Sequence, residues 1–121
     1  MLRIFSEQVV LDLNSHSGLI DLLDADGVSA LISEQEDGDS FVNYFLKFNS
    51  NISKDGAKGL SVVIECWSDT YDKSIALADQ VEVAIKLSDN RYEYVSANSE
   101  PVLLDSKKVV IVTKQEFNIK K

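Results

Sequence analysis

The spacing of apolar residues changes once within residues 60–87, and that change limits what the chain can fold into. Over 60–67 the period is 2. Leu60, Val62, Ile64 and Cys66 fall on one face, and Ser61, Val63, Glu65 and Trp67 on the other. β-Branched and aromatic residues suit a pleated, half-buried surface, so this spacing predicts a strand with one fully apolar face. Ser68, Asp69 and Thr70 each carry an oxygen able to cap a helix, and Asp72 adds a carboxylate where the helix dipole is positive. From Tyr71 the period becomes helical. Tyr71, Ile75, Ala78, Val81 and Ile85 form a stripe, widened by Leu77 and Ala84, with Lys73, Asp79, Gln80, Glu82 and Lys86 mostly outside it. Ser88, Asp89 and Asn90 end the helix. A strand that feeds directly into a long helix, at about 70–88, lets that helix fold back over the sheet.

Around this unit the chain supplies further elements. Phe5, Val9 and Leu13, with Val10 beside them, predict a helix over 3–13. Residues 14–18 break it, and 19–23 form a second short helix capped by Ser15 or Ser17. Residues 24–27 turn, 28–36 form a weakly patterned strand, and Asp37-Gly38-Asp39 turns again. Residues 41–48 are a strand. The polar stretch 49–59 has Ile52 as its single large apolar side chain besides the glycines, asparagines and serines, and reads as a loop among the least ordered internal segments. After the long helix, 91–97 alternates Tyr92, Tyr94 and Ser96 against Arg91, Glu93 and Val95. Residues 98–101 interrupt it. Because Pro101 cannot donate to a ladder, 102–104 is a short edge segment. The last strand is 108–119, with Val109, Ile111, Thr113, Gln115, Phe117 and Ile119 on one face. The expected class is α+β: one domain over 1–121, a two-layer sandwich with a mainly antiparallel sheet of four to five strands. The long helix and the N-terminal helices lie on one face.

Chemistry is sparse. His16, the single histidine, lies in a Ser/Asn-rich break without a partner nucleophile, and reads as a surface or capping residue. Cys66 falls on the apolar strand face, which favours an inert buried thiol; a lone cysteine also excludes an internal disulfide framework. Residues 22–27 resemble part of a calcium loop, but its first and last ligand positions would be Leu22 and Ser33, which do not supply the acidic oxygens required. No glycine-rich phosphate loop, Cys/His metal spacing or serine elbow occurs. The expectation is no catalytic, metal or cofactor residues and no enzymatic activity. No apolar run approaches 18 residues, so no membrane span is expected. The first residues lack a signal-peptide pattern.

Charge is divided along the chain. The net charge is −8. Residues 21–39 hold seven acidic groups and no Lys or Arg, whereas 107–121 hold five lysines against Glu116. An acidic balance argues against tight sequence-independent binding of nucleic acid. The plain reading is a solvated acidic loop and a soluble tail. The functional one is that unlike patches meet between neighbouring subunits: Glu34, Glu36, Asp37 and Asp39 on one side, Lys107, Lys108 and Lys114 on the other. Trp67, opposite Cys66, belongs either to a second, smaller core or to an inter-subunit anchor.

The run Val63-Ile64-Glu65-Cys66-Trp67-Ser68-Asp69-Thr70-Tyr71-Asp72-Lys73, followed by Ala76-Leu77-Ala78-Asp79-Gln80-Val81, resembles the core of a tail-component family of tailed bacteriophages and prophages. That family is similar to tail-completion, tail-terminator and head-tail joining proteins. The likeness covers about 30 residues well and the rest loosely. It implies a structural, non-enzymatic subunit that works as a ring, commonly of six copies. The ring would cap the tail tube and offer a surface to the head connector proteins. DNA would be passing cargo only. The location implied is the virion tail, and the host bacterial cytoplasm during assembly. The chain departs from the pattern in an acidic segment 28–40 and in lacking a glycine-rich turn after the long helix. Two other classes remain open: a small cytoplasmic α+β module that binds a ligand or peptide, and a small enzyme using the carboxylates of 21–39.

Overall fold

The computed structural model describes residues 2–23, 29–30, 40–52, 58–87, 92–104 and 107–119. The elements are α1 (Leu2–Asn14), α2 (Ser17–Ile20), β1 (Ser29–Ala30), β2 (Phe41–Ile52), β3 (Lys58–Ser68), α3 (Tyr71–Lys86), β4 (Tyr92–Leu103) and β5 (Val109–Ile119). The sheet order is β1-β2-β3-β5-β4. β2, β3, β5 and β4 are antiparallel in succession, and β1 adds two residues parallel to β2. The class is α+β, with helices packed on the sheet.

The helix-facing side of the sheet carries the core. Val42, Tyr44, Val62, Ile64, Cys66 and Phe117 are buried against Leu77, Ala78, Val81, Ala84 and Ile85 of α3, with Val9 and Leu13 of α1 and Leu19 of α2 closing one end. The predicted apolar face of β3 is therefore the one under the helix. Thr70 is the cap that the chain selects: its backbone is extended and its side chain accepts from the Lys73 N–H at 3.2 Å.

The helical stripe is rotated from its expected position. Tyr71 is 58% exposed, while Ser74, a polar residue outside the expected stripe, is fully buried. The cause is a relay of hydroxyls between helix and sheet. Ser99 Oγ donates to Thr113 Oγ1 (2.8 Å), Thr113 to Ser74 Oγ (2.8 Å), and Ser74 to the Cys66 carbonyl (2.8 Å). A small hydroxyl at 74 satisfies buried polar groups and brings the first turn of α3 close to β3 and β5.

Three expected boundaries are corrected. The stretch 49–59 is not all loop: β2 continues to Ile52 and β3 begins at Lys58, with a register shift between Asn49 and Ile52. Hairpin pairing overrides the weak strand preference of Asn, Ser and Gly there. Residues 98–101 do not interrupt β4, which runs unbroken through Pro101 opposite Ile111. β4 is the sheet's edge, and an edge strand accommodates a proline whose missing N–H faces away from the ladder. A bulge between Tyr94 and Ser96 then reverses the later alternation, so Ser96 leaves the face of Tyr92 and Tyr94 and Ala97 joins it. The second helix is Ser17–Ile20, and its N-cap His16 makes no side-chain cap. The His16 ring instead hydrogen-bonds Gln80 of α3 through Nε2, at 2.8 Å from Oε1. The expected turn at 37–39, most of the expected strand at 28–36 and the calcium-like loop lie largely or wholly outside the described residues.

Candidate interaction surface

The face of the sheet turned away from the helices is built in rows across the strands. One row is apolar: Phe41 of β2 opposite Trp67 of β3, opposite Val112 of β5. The Phe41 and Trp67 rings stack at 5.8 Å with 7° between their planes, and Val112 is fully buried beside them. The next row is polar: Asn43, Glu65, Lys114 and Asn98 stand opposite one another across β2, β3, β5 and β4. Trp67 Nε1 donates to Asn43 Oδ1 at 2.8 Å, and Asn43 Nδ2 donates to Glu65 Oε1 at 2.8 Å. Lys114 Nζ lies 3.8 Å from Glu65 Oε2 and 3.0 Å from Glu100 Oε1. Its hydrogen bond to Glu100, together with the charges of Glu100 and Glu65, holds the Lys114 ammonium above the usual lysine range. Further along, Lys47 pairs with Glu116 at 3.2 Å, and Ser61 Oγ donates to Asn118 Oδ1 at 2.8 Å. These contacts make the face an ordered, mixed-charge surface rather than a field of independent side chains.

Beyond this face, β4 is exposed on both sides over most of its length, including Tyr94 at 61% and Leu103 at 68%. The β4–β5 hairpin ends in Lys107 and Lys108. Lys107 takes a left-handed φ of 67° and donates its N–H to the Leu104 carbonyl at 2.8 Å. On the helix side, an open groove of about 360 Å³ runs between α3 and β4, lined by Ile75, Asp79, Glu82, Tyr94, Thr113 and Gln115 among others. Its polar groups are mostly engaged within the chain. Thr113 belongs to the hydroxyl relay, Gln115 Nε2 donates to the Ala78 carbonyl (3.1 Å), and Glu82 pairs with Lys86 (3.0 Å).

The expected interface residues divide into three groups. Glu34, Glu36, Asp37 and Asp39 lie outside the described residues. Lys107 and Lys108 are exposed at the hairpin tip. Trp67 and Lys114 are half-buried and partnered inside the chain, Trp67 with Phe41 and Asn43, Lys114 with Glu65 and Glu100. Sequence spacing placed Glu65 and Trp67 on one face but did not single out Asn43, Glu65 or Glu100. Their role depends on the β2–β3–β5–β4 register, which no local pattern encodes. Cys66 is fully buried, and desolvation, with a smaller contribution from Glu65, pushes its thiol far above the ordinary range. Among the described residues, no three His, Cys, Asp or Glu side chains gather where they could hold a metal. Also among them, no helix is long and apolar enough to cross a membrane.

No protein-family model and no curated protein matches the chain. Among solved structures, a chain in the virion of a native gene transfer agent (GTA) particle is similar, with a TM-score of 0.60 at 16% sequence identity. The likeness covers 92% of this chain and 90% of that one. At this identity it speaks to the fold: the two chains share an architecture from end to end.

Proposed function

We propose that this chain is a structural subunit of a phage-like particle that completes the tail, closing the tube as a ring and joining it to the head. The observation that carries this reading is the end-to-end likeness to one chain of a gene transfer agent virion, a likeness that accounts for nearly all of both molecules. The β3–α3 run, the part that resembles phage tail-completion proteins in sequence, supplies the middle strand of this chain's sheet and the long helix packed on it. The mechanism is geometric. A ring presents one surface to the growing tube and another to the head connector, so growth stops where the ring binds. An ordered, mixed-charge sheet face and an exposed edge strand suit a subunit whose task is contact. The groove beside β4 is open, and Glu82, Thr113 and Gln115 in its lining are engaged within the chain, which favours the particle subunit over a ligand-binding module.

The test is particle mass in solution, for the chain alone and mixed with a tail-tube protein from the same source. A discrete ring, or a capped tube whose length no longer increases, supports the reading. A chain that stays monomeric in both samples and leaves tube growth unchanged overturns it.

A further inference from the structure

Among the described residues the sheet has two open edges of unequal kind. On one side β4, twelve residues long, has no strand beside it among the described residues. On the other side β1 covers only Asn43 and Tyr44 of β2, and the stretch 45–52 has no described strand beside it. Edge strands of monomeric proteins are usually short or guarded by charged side chains, lysine above all, by proline or by bulges; β4 is long, with a single bulge at Tyr94–Ser96 and Pro101 near its end. β4 contains no Lys or Arg, and it exposes Tyr94, Val95 and Leu103.

We infer that neighbouring subunits join by sheet extension, the β4 edge of one copy pairing with residues 45–52 of β2 in the next. This deepens the ring reading and rests on it. Direction comes first. Since β2, β3, β5 and β4 alternate, β4 runs opposite to β2 within one copy. A rotation that relates copies around a ring preserves strand direction along its axis, so β4 meets the next β2 antiparallel. Such a joint is heterologous, the kind that closes rings. Register comes second. Setting Lys47 opposite Asn98 places 45 against 100 and 52 against 93, which uses the whole stretch of β2 that has no described strand beside it and stops one residue short of Pro101. In that register the irregularity in β2, between Asn49 and Ile52, falls at the level of the β4 bulge between Tyr94 and Ser96. Charge comes third. β4 contains two glutamates and no base, whereas β2 contains Lys47 and no acid.

The joint also assigns the two faces of the ring. About six copies contribute about 24 antiparallel strands, and at a spacing of about 4.8 Å these give a circumference of about 115 Å and a diameter of about 37 Å. Strand tilt widens this further. A helix layer about 10 Å thick on the inside would nearly fill such a barrel. The helices therefore lie outside, and the ordered face of Asn43, Glu65 and Lys114 lines the lumen. Among the described residues of that face Glu65, Glu93, Glu100 and Glu116 outnumber Lys47 and Lys114, so phosphate passing through is repelled rather than gripped.

The experiment is disulfide trapping in the intact 121-residue chain, whose native Cys66 is buried. Lys47→Cys is mixed in turn with Ser96→Cys, Asn98→Cys and Glu100→Cys, and each variant is also oxidised alone. The expected result is a cross-linked dimer from at least one mixture. The corresponding double variant should give a ladder that ends at the ring size measured by native mass. A cross-link formed by a β4 variant alone shows β4 against β4 and overturns the inference. Rings that form without any cross-link to position 47 also overturn it and leave the ring reading standing. A chain that remains monomeric at every concentration and gives no mixed cross-link removes both.

Discussion

The Tyr92 hydroxyl donates to the Asp12 carboxylate at 2.6 Å, tying the first residue of β4 to α1 across eighty positions of sequence. Asp12 is only 6% exposed, and Gln8 Nε2 donates to its other oxygen at 2.8 Å. A buried carboxylate needs such donors, because an ion removed from water without them is costly. Tyr92→Phe keeps the ring, which meets Phe117 edge-on at 6.5 Å, and removes only the donor. The variant should lose about 1–3 kcal/mol in urea denaturation. A midpoint equal to that of the parent would show that other partners of Asp12 carry the whole requirement.

Ile64 and Tyr71 separate the core face from the exposed one. Ile64 is fully buried under α3, and Ile64→Ala should cost about 2–5 kcal/mol, as large-to-small core changes do. Tyr71 begins α3 but points to solvent, and Tyr71→Ala should fall within about 0.5 kcal/mol of the parent. Paired denaturation curves decide this. Equal losses would put Tyr71 back on the buried stripe.

Cys66 makes stability depend on alkaline pH. Burial raises its thiol in the folded state above the ordinary 9.0 of an exposed thiol, so the folded chain holds the proton that the unfolded chain releases. The contribution is complete below the unfolded value and declines as pH rises above 9.0, by at most about 1.4 kcal/mol per pH unit. Cys66→Ala removes this slope. Stability of parent and variant measured from about pH 8 to about pH 10.5, a range that brackets the ordinary 9.0, should diverge above it. Parallel curves would show the thiol is not protected by burial. A thiol reagent at neutral pH should label the parent only once urea unfolds it.

Lys107 and Lys108 test the charge contact proposed between the basic hairpin region of one copy and the acidic 21–39 region of the next. Lys114 is left out, since its reversal would set a third carboxylate beside Glu65 and Glu100. The double variant Lys107→Glu, Lys108→Glu should keep the parent's denaturation midpoint, both residues being exposed. It should slow ring formation and reduce its salt dependence. Each exposed pair contributes about 0–1 kcal/mol, so the effect is on rate and orientation rather than on the existence of the joint. Unchanged assembly rates across the salt range would reduce the charge division to a solubility feature.

The sequence alone determined the local elements wherever one period dominated. The alternation at 60–67, the oxygen-rich stretch 68–70 and the helical repeat that follows specified β3, the cap and α3, because those signals arise from neighbouring residues and need no distant partner. The same holds for the helix-facing side of β5. Tertiary structure decided what depends on partners far along the chain. Ser74 is buried rather than Tyr71 because Thr113 and the Cys66 carbonyl supply hydrogen-bond partners, which rotates α3 about its axis. β4 passes through Pro101 because it lies at the edge of the sheet. Asn43, Glu65, Lys114 and Glu100 form one network because the strand register sets them side by side. Register and sheet order result from pairing over tens of residues, and a single segment carries no trace of which strand will stand next to it.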